Sequence, residues 1–419
     1  MTPLNAGVKR ILNVLAVILA LGIFNCAARG EEVLYSFASQ GDASHPLVGL
    51  IADSAGNLYG TTEFNGTSKA GAVFELSPPI KQGGSWTESV LYTFQGGSDG
   101  SWPMASLVMD KKGNLYGTTS YGGANNAGTI FQLTPPAQKG GKWTESTLFS
   151  FNGTTNGQNP WGLTFGPTGG LFGVTQGGGN GCGTAFELIH KANGTWAQSV
   201  IYSFQAGNND GCVPDMRGGN LAIDKSGDFF GTTSEGGQFN HGTIFELIPP
   251  LQKGGSWTES VLYNFNDAED GDPGYGGLIF DSVGNLYGTT ESGGLHGGGT
   301  VFELSPAQGG GWKKTVLHSF GAKGDGTAPS AGLVFDAAGN LYSTTVSGGQ
   351  YGQGIVFQLT PGQSAWSETI LHSFGQSNDG TAGYSPLIDK LGVLYGTTFD
   401  GGKGQCGSSG CGTVFSIQP

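Results

Sequence analysis

Beyond Phe24 the sequence contains no apolar run long enough to cross a bilayer, so a bundle of membrane helices is excluded. Charge is scarce as well. Only 12% of the 419 residues are Asp, Glu, Lys or Arg, yet hydrophobic residues reach 37%, too many for a disordered chain. The 80 glycines follow no three-residue period, which excludes a collagen-like helix. No segment carries a convincing 3.6-residue apolar stripe, so helices are not expected. Familiar catalytic motifs are missing too: there is no Gly-x-Ser-x-Gly elbow, no His-Glu-x-x-His and no P-loop. Glycine runs such as Gly177 to Gly183 lie between strands, with no helix N-terminus to hold a phosphate. No cofactor is implied, and no metal site is assigned.

The N-terminus reads as a secretory signal. Lys9 and Arg10 precede an apolar run from Ile11 to Phe24, followed by Cys26-Ala27-Ala28. The run is short for a span and ends on small residues suited to cleavage after Ala28. Residues 1–28 are therefore read as removed, with a retained anchor as the rival. Removal leaves 16 basic against 31 acidic side chains, an acidic surface that argues against nucleic-acid and anionic-lipid partners. A secreted, periplasmic or cell-surface monomer is expected. Four cysteines then remain, Cys182, Cys212, Cys406 and Cys411. An even count in an exported chain favours disulfides, and the lack of a CxxC pair weakens zinc. Cys182 with Cys212 would staple two neighbouring loops, and Cys406 with Cys411 would close a small ring.

Repetition dominates the rest. Asn57-Leu-Tyr-Gly-Thr-Thr62 recurs seven times, centred on Gly60, Gly117, Gly173, Gly231, Gly288, Ser343 and Gly396. A second phrase, Gly71-Ala-Val-Phe-Glu-Leu76, follows each one. A third ends in an aromatic, as in Val90-Leu-Tyr-Thr-Phe94, and a short apolar segment such as Leu47 to Ala52 or Gly277 to Phe280 precedes the first. Each segment has four to eight residues, is rich in Val, Ile, Phe, Tyr and Thr, and is bounded by Gly, Pro, Asn or Asp; those are strand signals. In chain order the four are strands A, B, C and D. The last repeat stops at Ile417, after strand C, and Glu31 to Phe37 matches the strand D at Glu88 to Phe94 almost residue for residue. A ring in which the first strand completes the last sheet removes the exposed edges of an open array. The expected fold is all-β: a seven-bladed β-propeller of four antiparallel strands per blade over 29–419. The blades run approximately 46–94, 103–151, 160–204, 214–265, 273–320, 329–374, and 386–417 plus 31–37.

The three phrases in one period resemble the GloVer tandem-repeat family, exported bacterial proteins named for Gloeobacter and Verrucomicrobia. The resemblance covers essentially the whole mature chain. It implies an exported repeat protein and brings no catalytic residues with it. Repeat three departs most, lacking the turn aspartate, and Ser343 replaces the glycine in repeat six.

In such blades the B–C and D–A loops share one face. The D–A loops carry Asp99, Asp210, Asp270, Asp325 and Asp379, each before glycine. They could ring one mouth of the channel, although Asp-Gly is also ordinary turn chemistry. Trp102 and Trp161 flank prolines at the start of strand A, and Tyr275 and Tyr384 occupy comparable loops; exposed rings beside polar loops suit sugars. The six strand D tryptophans read as packing between blades, and His318 and His372 as stand-ins for the strand D tyrosine. His45, His241 and His296 share the loop face but sit at unequal positions. Two functions follow. The first is a non-catalytic binding or surface-interaction module for extracellular polysaccharide or protein. The other is a carbohydrate-active enzyme, hydrolase or lyase, with carboxylates at the mouth of the central channel. Two carboxyls about 5 to 9 Å apart beside Trp102 and Trp161 would favour the enzyme.

Overall fold

The computed structural model describes residues 30–419 except 39–42, 66–68, 82, 139, 206, 208–209, 217–218, 253, 267–269, 377–378, 382–384, 386 and 407–408. The signal segment and Tyr384 lie outside the described residues. Seven antiparallel sheets form the blades of a propeller, six of four strands and that of blade 4 of five, because its first strand is split into Gly211–Pro214 and Ala222–Ile223. Blade 2 is representative, with strands Val108–Met109, Leu115–Thr119, Thr129–Thr134 and Thr144–Ser150 in that order across the sheet. Blade 7 uses Ile388–Lys390, Val393–Thr398 and Thr413–Ile417, and its outermost strand is the N-terminal Glu32–Ser36. Register across the closure pairs Glu32 with Ser416, Val33 with Phe415, Tyr35 with Val414 and Ser36 with Thr413.

The repeated phrases explain why the blades hold together. The phenylalanine ending each strand D is fully buried and packs on the strand C phenylalanine of the next blade. The pairs run Phe94–Phe131, Phe151–Phe186, Phe204–Phe245, Phe265–Phe302, Phe320–Phe357 and Phe374–Phe415, with ring centroids 4.9 to 5.8 Å apart. The seventh pair, Phe37–Phe74 at 5.2 Å, joins the N-terminal strand of blade 7 to blade 1 and completes the circle. The tryptophans that open strand D fill the same seams: Trp143 meets Tyr59, Trp196 meets Tyr116, Trp366 meets Tyr287, and Trp86 meets Tyr395 across the closure.

Glycine in the Leu-Tyr-Gly-Thr-Thr phrase is a packing requirement. A methyl on Gly117 would lie 2.5 Å from Phe131 Cζ and 2.9 Å from Leu107 Cδ2. Gly117→Ala is expected to cost about 1–3 kcal/mol by overpacking, read as a lower denaturation midpoint at unchanged slope. Blade 6 carries Ser343 at this position, and its hydroxyl donates to Gly332 O at 2.9 Å.

In blades 1 and 5 strand A is shorter than the sequence suggests, whereas in blade 3 it runs over Gln158–Phe165. Leu47 to Ala52 pairs only over Ile51–Ala52, and Gly277 to Phe280 only over Ile279–Phe280. The inner end leaves its own ladder for the neighbouring blade: Ser385 Oγ and Thr397 Oγ1, both of blade 7, donate to Val48 O of blade 1. Around the axis these segments nearly touch. A methyl on Gly276 would lie 2.3 Å from Gly332 N.

The A–B turn explains the Asp-x-x-x-Asn signature. Asp110 Oδ1 accepts the Asn114 amide at 2.9 Å, while Oδ2 accepts Asn114 Nδ2 at 2.7 Å and the Tyr116 hydroxyl at 3.2 Å. Burial pushes this carboxyl up, but hydrogen bonds from Asn114, Lys112 and Tyr116 outweigh it and hold it below its ordinary range. Repeat three, which has no turn aspartate, also has Phe172 in place of the tyrosine, so no hydroxyl needs an acceptor; the ring stacks on Phe229 at 4.3 Å instead.

Candidate functional site

The chemistry of this propeller collects along its outer seams. The strand D aromatic of one blade, the D–A loop aspartate that follows it, and one strand D side chain of the next blade meet there. Asp99 Oδ2 accepts the Tyr92 hydroxyl at 3.0 Å and the Gln95 amide at 2.8 Å, with Glu145 of blade 2 near enough to repel it. Asp210 accepts Tyr202 at 2.9 Å and the Gln205 amide at 2.9 Å, facing Glu259 of blade 4. Asp270 accepts Tyr263 at 2.7 Å and pairs with Lys314 of blade 5 at 2.6 Å. Asp325 and Asp379 take His318 Nε2 at 3.2 Å and His372 Nε2 at 2.9 Å in place of a tyrosine, and face Glu368 and Glu31.

Each of these five carboxylates is thus bound to its own loop and to the outermost strand. They sit in the D–A loops, each tied to the outermost strand of its own blade by the tyrosine or histidine there. The facing acids pay an electrostatic cost. Burial, then the Asp210 charge, raises Glu259 to about 8. Burial followed by the Asp379 charge raises Glu31 to about 7.

Glu259 makes stability depend on pH with a definite sign. The unfolded chain releases this proton near 4.5, whereas the folded chain keeps it to about 8. The stability contributed by the protonated form is complete below pH 4.5 and is lost as pH rises through 8. Its partners in the seam are Asp210 and the Tyr202 hydroxyl. Glu259→Gln is expected to flatten the fall in melting temperature between pH 5 and pH 8.5; parallel melting curves for wild type and variant would refute this. Gln198 occupies the equivalent place in blade 3, so the substitution suits the fold.

A cleft of about 750 Å³ opens at the seam where the ring closes. Its walls include Glu31, Tyr35, Trp86, His372, Asp379 and Lys403. Trp86 and Tyr35 are half-buried.

The other residues singled out in the sequence fall elsewhere. Trp161 is only 4% exposed and belongs to a core cluster with Cys182, Cys212 and Phe229, so it presents no open face to a sugar. Trp102 is half-buried and edge-on to Tyr121, with its backbone bridging Ala70 of blade 1 and Ser120 of blade 2. Tyr275 is half-buried beside the close contacts around the axis. Both cysteine pairs are bonded, Cys182–Cys212 with Cα atoms 4.6 Å apart and Cys406–Cys411 with 5.0 Å. His45 faces Asp400 and His241 faces Asp272. Sequence reasoning overlooked Glu31 and Glu368. The signal was present: both occupy the strand D position of Glu88, Glu145 and Glu259, four residues before the aromatic.

The description "Gloeobacter/Verrucomicrobia repeat" matches residues 22–218 and again 216–419. The chain belongs to this family. No curated protein matches this family member. Among solved structures, the extracellular domain assigned to a hybrid two-component system of B. thetaiotaomicron is 10% identical, with 91% of this chain and 39% of that one covered and a TM-score of 0.51. A puromycin-hydrolyzing peptidase of Mycobacterium tuberculosis is 10% identical, with 88% and 52% covered and a TM-score of 0.51. A Bacteroides uniformis protein assigned as a 6-phosphogluconolactonase is 14% identical, with 79% and 87% covered and a TM-score of 0.48. At these identities the likeness to the first two speaks for the fold alone. Among the described residues of this repeat protein, no helix is long and apolar enough to cross a membrane.

Proposed function

We propose that this Gloeobacter/Verrucomicrobia repeat protein is an exported, non-catalytic binding module, and that it takes extracellular polysaccharide in the cleft at the ring closure. One observation carries the reading. The cleft places the rings of Trp86 and Tyr35 beside a cluster of polar groups, Glu31, His372, Asp379 and Lys403, the mix of stacking face and hydrogen-bonding groups that sugar rings use. The enzyme reading has less support. Glycoside chemistry by paired carboxyls needs them about 5 to 9 Å apart, flanking a sugar. In the two clusters Glu31–His372–Asp379 and His318–Asp325–Glu368 one donor atom of each residue lies within 4.8 Å of the others, closer than the spacing of about 6.5–9.5 Å that lets an inverting pair hold a water.

The test is a glycan array probed with the purified mature chain, followed by affinity electrophoresis on any polysaccharide that binds. Trp86→Ala is expected to weaken retention at least tenfold while the polysaccharide keeps its length. Release of shorter or unsaturated fragments would favour the hydrolase or lyase. Retention unaffected by Trp86→Ala would remove the cleft from the account.

A further inference from the structure

The five seams with a loop aspartate share one design, and the identity of the side chains that face it varies among them. In blade 5 the strand D position that usually carries an acid holds Lys314. Its ammonium is 2.6 Å from Asp270 Oδ1 and 4% exposed, and it sits 5.1 to 5.4 Å from the ring centres of Phe265, Phe302 and Tyr263. The seam therefore has a seat for a positive charge, walled by aromatic rings, which this chain fills with its own cation in one place.

At two other seams the same seat is surrounded by donors and contains no lysine. His372, Asp379 and Glu31 form one cluster, and His318, Asp325 and Glu368 the other. The members are shielded: His372 is 13% and Asp379 5% exposed, while His318, Asp325 and Glu368 are 21%, 8% and 16% exposed. The histidine nitrogens are 2.9 and 3.2 Å from the aspartate oxygens, and His318 Nε2 is 3.8 Å from Glu368 Oε2. Tetrahedral zinc with bonds of about 2.0–2.1 Å sets its ligands roughly 3.3 Å apart, so small side-chain movements would satisfy it. Glu31 Oε1 and Glu368 Oε1 are closed off from solvent with no hydrogen-bond partner.

We propose that these two seams are binding sites for a divalent transition-metal ion, each using one imidazole nitrogen and two carboxylates with the remaining coordination open to water. Imidazole favours such an ion over calcium or magnesium, which prefer all-oxygen sites. The tyrosine seams lack the nitrogen donor and are not sites. In this role the ion does at two seams what Lys314 does at a third: it neutralises facing acids and ties a loop to the next blade. The first site lines the cleft of the proposed function, but the inference does not depend on that function.

The repeats themselves supply variants that fit the fold. Tyrosine stands at the histidine position in Tyr92, Tyr202 and Tyr263, and glutamine at the glutamate position in Gln198. Untagged mature protein, stripped with chelator, is titrated with zinc alone by calorimetry and by metal analysis after desalting. Two ions per chain are expected, with one in His318→Tyr or His372→Tyr and none in the double variant. Glu31→Gln with Glu368→Gln should weaken both sites at least tenfold at neutral pH. Tyr202→His, which supplies an imidazole beside Asp210 and Glu259, should add a third ion. Absence of tight zinc uptake, uptake unchanged in the double histidine variant, or a count that stays at two in Tyr202→His would overturn the proposal.

Discussion

A chain lacking residues 30–37 is expected to lose its single cooperative unfolding transition and to associate at micromolar concentration. Those residues supply the outermost strand of blade 7, hydrogen-bonded along Thr413–Ile417, and Phe37, the fully buried ring that packs on Phe74 of blade 1. Without them the central strand of blade 7 becomes an unpaired edge, a template for pairing with other chains. The seam to blade 1 also loses its phenylalanine pair, one of seven around the ring. The milder change Phe37→Ala isolates the packing part and should cost about 3–5 kcal/mol, the usual range for a buried phenylalanine. Chemical denaturation followed by light scattering reads both. A truncated chain that unfolds in one step at the wild-type midpoint would show that the N-terminal strand is dispensable.

Reduction should also be costly, and unequally so at the two bridges. Cys182–Cys212 spans 30 residues and joins the B–C loop of blade 3 to the loop that enters blade 4. Chain entropy for a loop of that length assigns about 3–4 kcal/mol to the bond, against about 2 kcal/mol for Cys406–Cys411, which spans 5. Both sulfurs of the longer bridge lie in a core cluster with Phe204 and Phe229, so paired replacement by serine would also bury hydroxyls among rings. Cys182→Ala with Cys212→Ala avoids that complication. Its melting temperature is expected to fall clearly further than that of Cys406→Ala with Cys411→Ala. Equal losses would mean that the longer loop is already ordered in the unfolded chain.

Much of this architecture was legible because each strand carries its own phrase. Strand D ends in an aromatic and phenylalanine, so a sequence that matches it at Glu31 to Phe37, with strand C as the last repeated phrase, points to closure, and Glu32–Ser36 does pair with Thr413–Ile417. The turn aspartates were legible for a local reason: Asp53 and Asn57 are four residues apart and satisfy each other. Strand A was less so. Its inner residues exchange their own ladder for contacts such as Ser385 to Val48, made with a blade more than three hundred residues away in sequence. The burial of Trp161 also depends on neighbours from another blade, Met216 and Phe229 among them.

The seams were the hardest to see. Asp270 and Lys314 are 44 residues apart, and nothing local links them. Only alignment of the repeats on one another shows that an aspartate after one strand D must face the fourth residue before the aromatic of the next. The replacement of tyrosine by His318 and His372 has the same root. Each imidazole takes over the hydrogen bond to the loop aspartate, as a structural stand-in would, and each also brings a nitrogen donor next to two acids.

Ring closure fixes which strand is outermost in blade 7 and therefore where Glu31 and the cleft lie. Hydrogen exchange read by mass spectrometry tests it on the unmodified protein. If Glu32–Ser36 covers Thr413–Ile417, the latter exchanges as slowly as the enclosed strand Thr129–Thr134 of blade 2. Exchange of Thr413–Ile417 as fast as that of the outer strand Thr144–Ser150 would contradict the closed ring.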